Sequence, residues 1–230
     1  TAQTASITGK PIVLGGIEGR TEATGRGAAK VVMALKDHLE LSDDASFAIQ
    51  GFGNAGAQFA NDMHEAGFRI VALSDSSGAV FSADGLDPRE AERYKARTGG
   101  LKGFADDVAD NDLRRVEADV LVPAALGGWI DGTNADHVAA RVVVEVSNQA
   151  CTVEGADRLT ERGVHVVPDI LANSGGVSVS YLEWVQNRSG EQMGRDKVFA
   201  DLDARMERMA NAVSSRAMRD NTDLRSAAYR

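Results

Sequence analysis

Three glycines, Gly51, Gly53 and Gly56, sit around Asn54 and Ala55, and an acid, Asp75, lies roughly two dozen residues downstream. Glycines in the pattern G-x-G-x-x-G handle phosphate. The first lets the chain turn sharply out of a strand, and the second lets backbone N–H groups approach a pyrophosphate with no Cβ in the way. The third lets the following helix pack close to the sheet. A helix opening near Asn54 would point unpaired N–H groups and its positive dipole end at that phosphate. Asp75, followed by Ser76, would stand where an adenosine ribose presents its hydroxyls. A bare glycine triplet also marks ordinary turns, so the flanking pattern decides. Apolar Phe47 to Ile49 lead in through Gln50, and Phe52 fills the motif. Ala57, Phe59, Ala60 and Met63 continue at helical spacing, and a second apolar run, Phe68 to Leu73, ends at the acid. Strand, glycine turn, helix, strand, acid is a dinucleotide fingerprint.

The elements needed to hold that unit in place are present on both sides of it. Ala118 to Pro123, Val142 to Val146 and Val164 to Val167 read as buried strands, with helical patterns at Asn134 to Ala140 and Glu154 to Arg162 between them. Strands alternating with helices predict an α/β fold, a Rossmann-like doubly wound and mostly parallel sheet with helices on both faces. Residues 1 to 20 form a glycine-rich lead-in with at most one short strand, at Ile12 to Leu14. Thr21 or Thr24 is placed to cap a helix carrying Val31, Val32 and Leu35, and capping alone would explain both threonines. Ser76-Ser77-Gly78 turns into Ala79 to Phe81, Asp87-Pro88 opens a helix, and Leu101 to Asp112 reads as short helix and loop. A helix is expected over Val177 to Gln186. Another, over Asp196 to Asp220, carries an apolar stripe of Val198, Leu202, Met206, Met209 and Val213. The whole chain, residues 1–230, is read as one dinucleotide-binding domain.

Two further polar residues follow strands: Asn148 after Val142–Val146, and Asn173 after Val164–Val167. An asparagine side chain donates and accepts, which suits a carboxamide such as that of nicotinamide, and it equally suits a turn. His38, His64, His137 and His165 are spaced far apart in the sequence and suggest no metal centre, and there is no Gly-x-Ser-x-Gly nucleophile elbow. The net charge of −9, with Lys and Arg scattered singly, argues against nucleic acid or an anionic membrane as partner. No apolar run reaches membrane-spanning length. The lone Cys151 excludes an internal disulfide and suits a cytoplasmic setting. Thr1 stands where a Met would begin a chain, and the last residues follow directly on a helical pattern. Both ends are therefore expected to be cut from something longer.

The chain resembles the cofactor-binding domain of glutamate dehydrogenases, within the glutamate/leucine/phenylalanine/valine dehydrogenase family, over nearly its whole length. The motifs that carry the resemblance are Thr8-Gly9-Lys10-Pro11, Glu22-Ala23-Thr24-Gly25-Arg26-Gly27, Gln50-Gly51-Phe52-Gly53-Asn54, Ser74-Asp75-Ser76 and Pro123-Ala124-Ala125. The most specific runs from Asn173-Ser174-Gly175-Gly176 through Ser180-Tyr181-Leu182-Glu183-Trp184. The resemblance implies that Thr24 and Asn173 hold the nicotinamide carboxamide and that Ala124 and Ala125 pass beside the nicotinamide ribose. It further implies that Arg20 stands at the mouth of the substrate cleft and that Ser180 binds the side-chain carboxylate of glutamate. Ser180-Tyr181 favours glutamate over an apolar amino acid such as leucine.

NAD and NADP both remain open as cofactor. Asp75 favours the free ribose hydroxyls, while Ser76 and Ser77 can donate to a 2′-phosphate. The implied reaction is reversible oxidative deamination of glutamate to 2-oxoglutarate and ammonia, in a parent that is a homo-hexamer. One segment departs from the pattern. The family shows Glu-Gly-Ala-Asn-Gly-Pro-Thr-Thr where this chain has Glu145-Val146-Ser147-Asn148-Gln149-Ala150-Cys151-Thr152. The catalytic lysine and acid of the family belong to a separate N-terminal substrate domain, and Gly15-Gly16-Ile17-Glu18-Gly19 has the glycines without a lysine. The expectation is a cofactor half that binds dinucleotide without turning over glutamate. The competing expectation is a stand-alone redox-sensing module.

Overall fold

The computed structural model describes residues 4–230; the first three residues of the lead-in, Thr1 among them, lie outside the described residues. Five parallel strands carry the sheet: β1 (Ser46–Gln50), β2 (Arg69–Asp75), β5 (Val120–Pro123), β6 (Val142–Val144) and β7 (His165–Val167). Two short strands, β3 (Gly78–Phe81) and β4 (Asp106–Asp107), run antiparallel at one edge. The spatial order is β4-β3-β2-β1-β5-β6-β7. The mostly parallel, doubly wound sheet expected from the sequence is what forms.

Side-chain alternation along the strands builds two cores. Phe47, Ile49, Val120, Val122, Val142 and Val144 face one way. They are covered by α1 (Ala23–Ala34), α2 (Asn54–Glu65), α6 (Gly175–Ser189) and α7 (Arg195–Asp220), through residues such as Phe59, Val179, Leu182 and Met206. Ala48, Leu121 and Val143 face the other way, under α4 (Val153–Glu161) and the segment from Ile130 to Ala140. The remaining helices are α3 (Pro88–Thr98), α5 (Asp169–Ala172) and α8 (Leu224–Ala228). Asp87 caps α3 through its carboxylate, which accepts from the N–H groups of Arg89 and Glu90, with Pro88 at the first helical position.

Several local expectations are corrected. The helix after the Thr21–Gly27 segment begins earlier, at Ala23, and neither Thr21 nor Thr24 caps it: its N-cap is Glu22, with no side-chain bond. Gly25 and Gly27 therefore lie inside α1, where close packing requires them. A Cβ on Gly25 would stand 2.3 Å from the Ala55 carbonyl oxygen. Asn134 to Ala140 does not make a full helix, only a 3-10 turn over Ala135–His137. Arg162 takes the Ala135 and Val138 carbonyls that a continuing helix would use. Ile12–Leu14 is likewise a 3-10 turn rather than a strand, ended by Gly15 in left-handed conformation. Ala79 to Phe81 pairs antiparallel with β2 because Ser76 and Ser77 alone separate the two strands, and a parallel return needs a crossover of about a dozen residues.

Candidate functional site

The glycine turn lies at the carboxyl end of β1, between β2 on one side and β5 on the other, where the winding direction of the sheet reverses. Open α/β sheets bind ligands in such a crevice. Gly51 has φ +96, and its N–H and that of Phe52 both donate to the Ser74 carbonyl, at 3.0 and 2.7 Å. A Cβ there would lie 2.5 Å from that of Ala125, and one on Gly56 would lie 2.0 Å from the Gly51 carbonyl oxygen. Both glycines are thus required by the fold itself.

Gly53 differs. Its backbone is extended, at φ −96 and ψ −164, and a Cβ added to it would meet nothing within 4 Å. As N-cap of α2 it offers no side chain to the first N–H groups of that helix, those of Asn54, Ala55 and Gly56. The turn therefore leaves an open, uncapped helix N-terminus at a place where any small residue would fit. The residues present fit a pyrophosphate.

Beside this turn is a cavity of about 360 Å³ walled by Gly51, Phe52, Asp75, Ser76, Lys95 and Ala125. A second, of about 550 Å³, lies across Phe52 and Gly53 against Thr21, Asn54, Gln58 and Lys95. Asp75 has a side chain only 6% exposed. Its Oδ1 accepts from the Ser77 N–H and hydroxyl at 2.8 and 2.6 Å, and its Oδ2 lies 3.0 Å from the Lys95 ammonium. Burial opposes ionisation, but the Ser77 and Lys95 contacts outweigh it and hold the carboxyl below the usual carboxylate range. Lys95 also donates to the Phe52 carbonyl at 2.7 Å, which ties α3 to the glycine turn. The sequence reading missed Lys95, because a single lysine on a polar helix carries no signal.

A second cluster forms at the N-terminal end of α6. Arg20 Nε donates to Ser180 Oγ at 3.0 Å, so the two expected substrate-side residues meet. Asn173 Nδ2 donates to Asn148 Oδ1 at 2.7 Å, so the two strand-end asparagines meet as well. Between the pairs, a Cβ on Gly176 would stand 2.7 Å from Thr24 Oγ1 and 3.4 Å from an Arg20 nitrogen. Ala124 backs the glycine turn, its N–H donating to the Gln50 carbonyl at 2.7 Å. Glu183, given no role from sequence, anchors the lead-in: its carboxylate accepts from Gly9 N–H and Lys10 N–H and pairs with the Lys10 ammonium at 2.6 Å.

The loop that departs from the family pattern has a defined course. Val146 points into the core. Gln149, standing where the family has glycine, keeps the left-handed backbone at φ +49, a conformation costing a non-glycine residue about 1 kcal/mol or more. Cys151 is buried, and burial followed by the neighbouring Glu145 pushes its thiol far above the usual range, so it is not a nucleophile.

A further cavity, of about 650 Å³ and larger than either beside the glycine turn, lies at the amino end of β7, against the end of α7 and against α8. His38 and His165 both line it, with ring centroids 6.2 Å apart, so the histidines are not all distant from one another. Among the described residues no group of His, Cys, Asp and Glu is arranged to hold a metal ion. No helix of the described residues is long and apolar enough to cross a membrane.

Comparison with known proteins returns one family model, that of glutamate/leucine/phenylalanine/valine dehydrogenases, over residues 15–230. An NADP-specific glutamate dehydrogenase of Halobacterium salinarum is 45% identical over 97% of this chain and 55% of its own length. A glutamate dehydrogenase of Thermotoga maritima is 42% identical with the same coverage. The solved hetero-hexameric glutamate dehydrogenase of Thermus thermophilus superposes with a TM-score of 0.88 at 39% identity, over 96% of this chain and 53% of that one. The chain spans about half the length of the relatives it matches.

Proposed function

The chain belongs to the glutamate/leucine/phenylalanine/valine dehydrogenase family, and from that premise we propose that it is the NAD(P)-binding domain of a glutamate dehydrogenase. Gly53 is the observation that carries the reading. It is a glycine with no demand on it from its own fold, at an uncapped helix N-terminus, beside a cavity that holds a buried acid. A dinucleotide supplies that demand. The N–H groups of Asn54, Ala55 and Gly56 would hold its pyrophosphate, Asp75 and Ser76 its adenosine ribose, and Asn148, Asn173 and Thr24, with Ala124 and Ala125, its nicotinamide half.

A nicotinamide held there would supply the hydride acceptor for oxidation of glutamate at Cα, which with water leads to 2-oxoglutarate and ammonia. In this chain Arg20 and Ser180 present a cation and a hydroxyl to the distal carboxylate of glutamate, which favours glutamate over leucine. The lysine and carboxylate for proton handling are not assigned to any of these 230 residues, so the chain as it stands binds cofactor without turnover. The intact enzyme is read as a homo-hexamer; one solved relative is hetero-hexameric. A cytoplasmic location agrees with the single, buried cysteine.

Cofactor choice centres on Lys95. Paired to Asp75, it offsets the charge that would repel a 2′-phosphate and stands ready to donate to one. A charge-assisted bond of this kind is worth about 1.5–3 kcal/mol. Lys95→Met is therefore expected to weaken NADPH binding roughly tenfold to a hundredfold. NADH binding should hold or tighten, because Asp75 is then free to accept from the ribose. Fluorescence titration of the wild-type chain and of Lys95→Met with both cofactors tests this. Equal losses for the two cofactors would reject Lys95 as the discriminating group, and no binding to the wild-type chain would reject the dinucleotide reading itself.

A further inference from the structure

Glu145 stands just past the end of β6 and is fully buried. Its two oxygens hold three groups. Oε1 accepts from the Cys151 N–H at 2.8 Å, and Oε2 accepts from the Asp169 N–H at 3.0 Å and from Arg225 Nη2 at 2.5 Å. Asp169 in turn accepts the Gln149 N–H on its Oδ2 at 2.8 Å. The loop from Val146 to Ala150 is thus gripped at its two ends by Glu145 and near its middle by Asp169. Asn148, at the centre of the loop, meets Asn173.

Arg225 comes from α8, far along the chain from the loop, and its side chain is 30% exposed against 0% for Glu145. It is the cation paired with the buried carboxylate. An ionised carboxylate taken out of water is sustained only by such a partner and by full hydrogen bonding, and removing one member leaves the other charge uncompensated. Arg225 Nη2 reaches the same oxygen that holds the Asp169 N–H. Without the arginine, the Glu145 carboxylate is left as an uncompensated buried charge, and the acceptor geometry it holds at Cys151 and Asp169 is lost. The strained backbone at Gln149 is then no longer imposed from both sides.

We propose that Arg225 and Glu145 are positioning residues for the nicotinamide end of the site: the ion pair sets the loop that places Asn148 against Asn173. This rests on the dinucleotide reading above. The inference predicts an effect confined to one half of the ligand. Gly53, Asp75 and Lys95, which would hold the adenosine half, share no hydrogen bond with the Glu145 cluster.

The test compares NADPH with 2′-phospho-ADP-ribose, which carries the adenosine half and pyrophosphate but no nicotinamide, and NADH with ADP-ribose. In Arg225→Met the dissociation constant for NADPH should rise about tenfold relative to wild type while that for 2′-phospho-ADP-ribose stays within about twofold. Arg225→Lys, which keeps the charge, should recover most of the loss. If Arg225→Met does not fold, the double variant Arg225→Met/Glu145→Gln removes the buried charge and should show the same ligand-selective loss. Equal weakening of both ligands, or no weakening of either, would overturn the proposal. A wild-type chain that binds neither ligand fails the dinucleotide reading instead, so the two failures are distinguishable.

Discussion

Gly53→Asp is expected to leave the melting temperature unchanged or slightly raised while weakening dinucleotide binding roughly a thousandfold. Aspartate is among the preferred N-cap residues, and its carboxylate would accept from the free N–H groups of α2. A Cβ at this position meets open space, and the extended backbone is one that any residue adopts. The fold therefore loses nothing. A ligand loses twice, because the helix N–H groups are taken and a negative charge stands against its phosphates. Two like charges about 4 Å apart near a protein surface repel by about 4 kcal/mol, which is a factor of about a thousand. Thermal melts and cofactor titration on the same sample check both halves. Unchanged binding would mean that the pyrophosphate does not sit on this turn.

Gly25→Ala is expected to do the reverse, lowering stability by about 3 kcal/mol. In an exposed helix this substitution stabilises by up to about 1 kcal/mol, since alanine is the better helix former. Here the new methyl would stand 2.3 Å from the Ala55 carbonyl oxygen and 2.8 Å from both the Phe59 nitrogen and the Gln58 Cβ. These are mostly backbone atoms, which cannot swing aside, so α1 and α2 must separate over a shared core that includes Val32, Phe59 and Ala60. Overpacking of a tight contact costs about 1–3 kcal/mol, occasionally more. At about 2–4 °C per kcal/mol for a domain of this size, the melting temperature should fall by roughly 6–12 °C. A rise would show that the two helices are not as closely packed as the structure has them.

These two glycines show how far the sequence could be read. The fingerprint was legible because strand, turn, helix and acid each leave a local signature, and α2 begins at Asn54 as the glycine spacing requires. Asn148 and Asn173 were legible as asparagines at strand ends, and Arg20 and Ser180 through family motifs; the structure brings them together in two hydrogen-bonded pairs. The start of α1 misled. Thr21 and Thr24 read as caps because threonine is a good N-cap and glycine a poor helix former, yet the helix starts at Ala23 and packing overrides the propensity of Gly25 and Gly27. Asn134 to Ala140 misled for a related reason: its apolar spacing is helical, but Arg162 intercepts its carbonyls from a distant part of the chain. Lys95 on Asp75, Arg225 on Glu145 and His38 on His165 are all partnerships between residues distant in sequence. No local pattern encodes such pairs, since they exist only once the sheet and its helices have assembled.

The site is tested most directly by amide hydrogen exchange with and without NADPH. Slower exchange is expected over residues 51–57 and 74–77, with a smaller effect at 147–149 and 173–176. Protection confined to residues 160–166 and 217–226, which surround the larger cavity beside His38 and His165, would contradict the assignment. So would no protection anywhere at saturating cofactor.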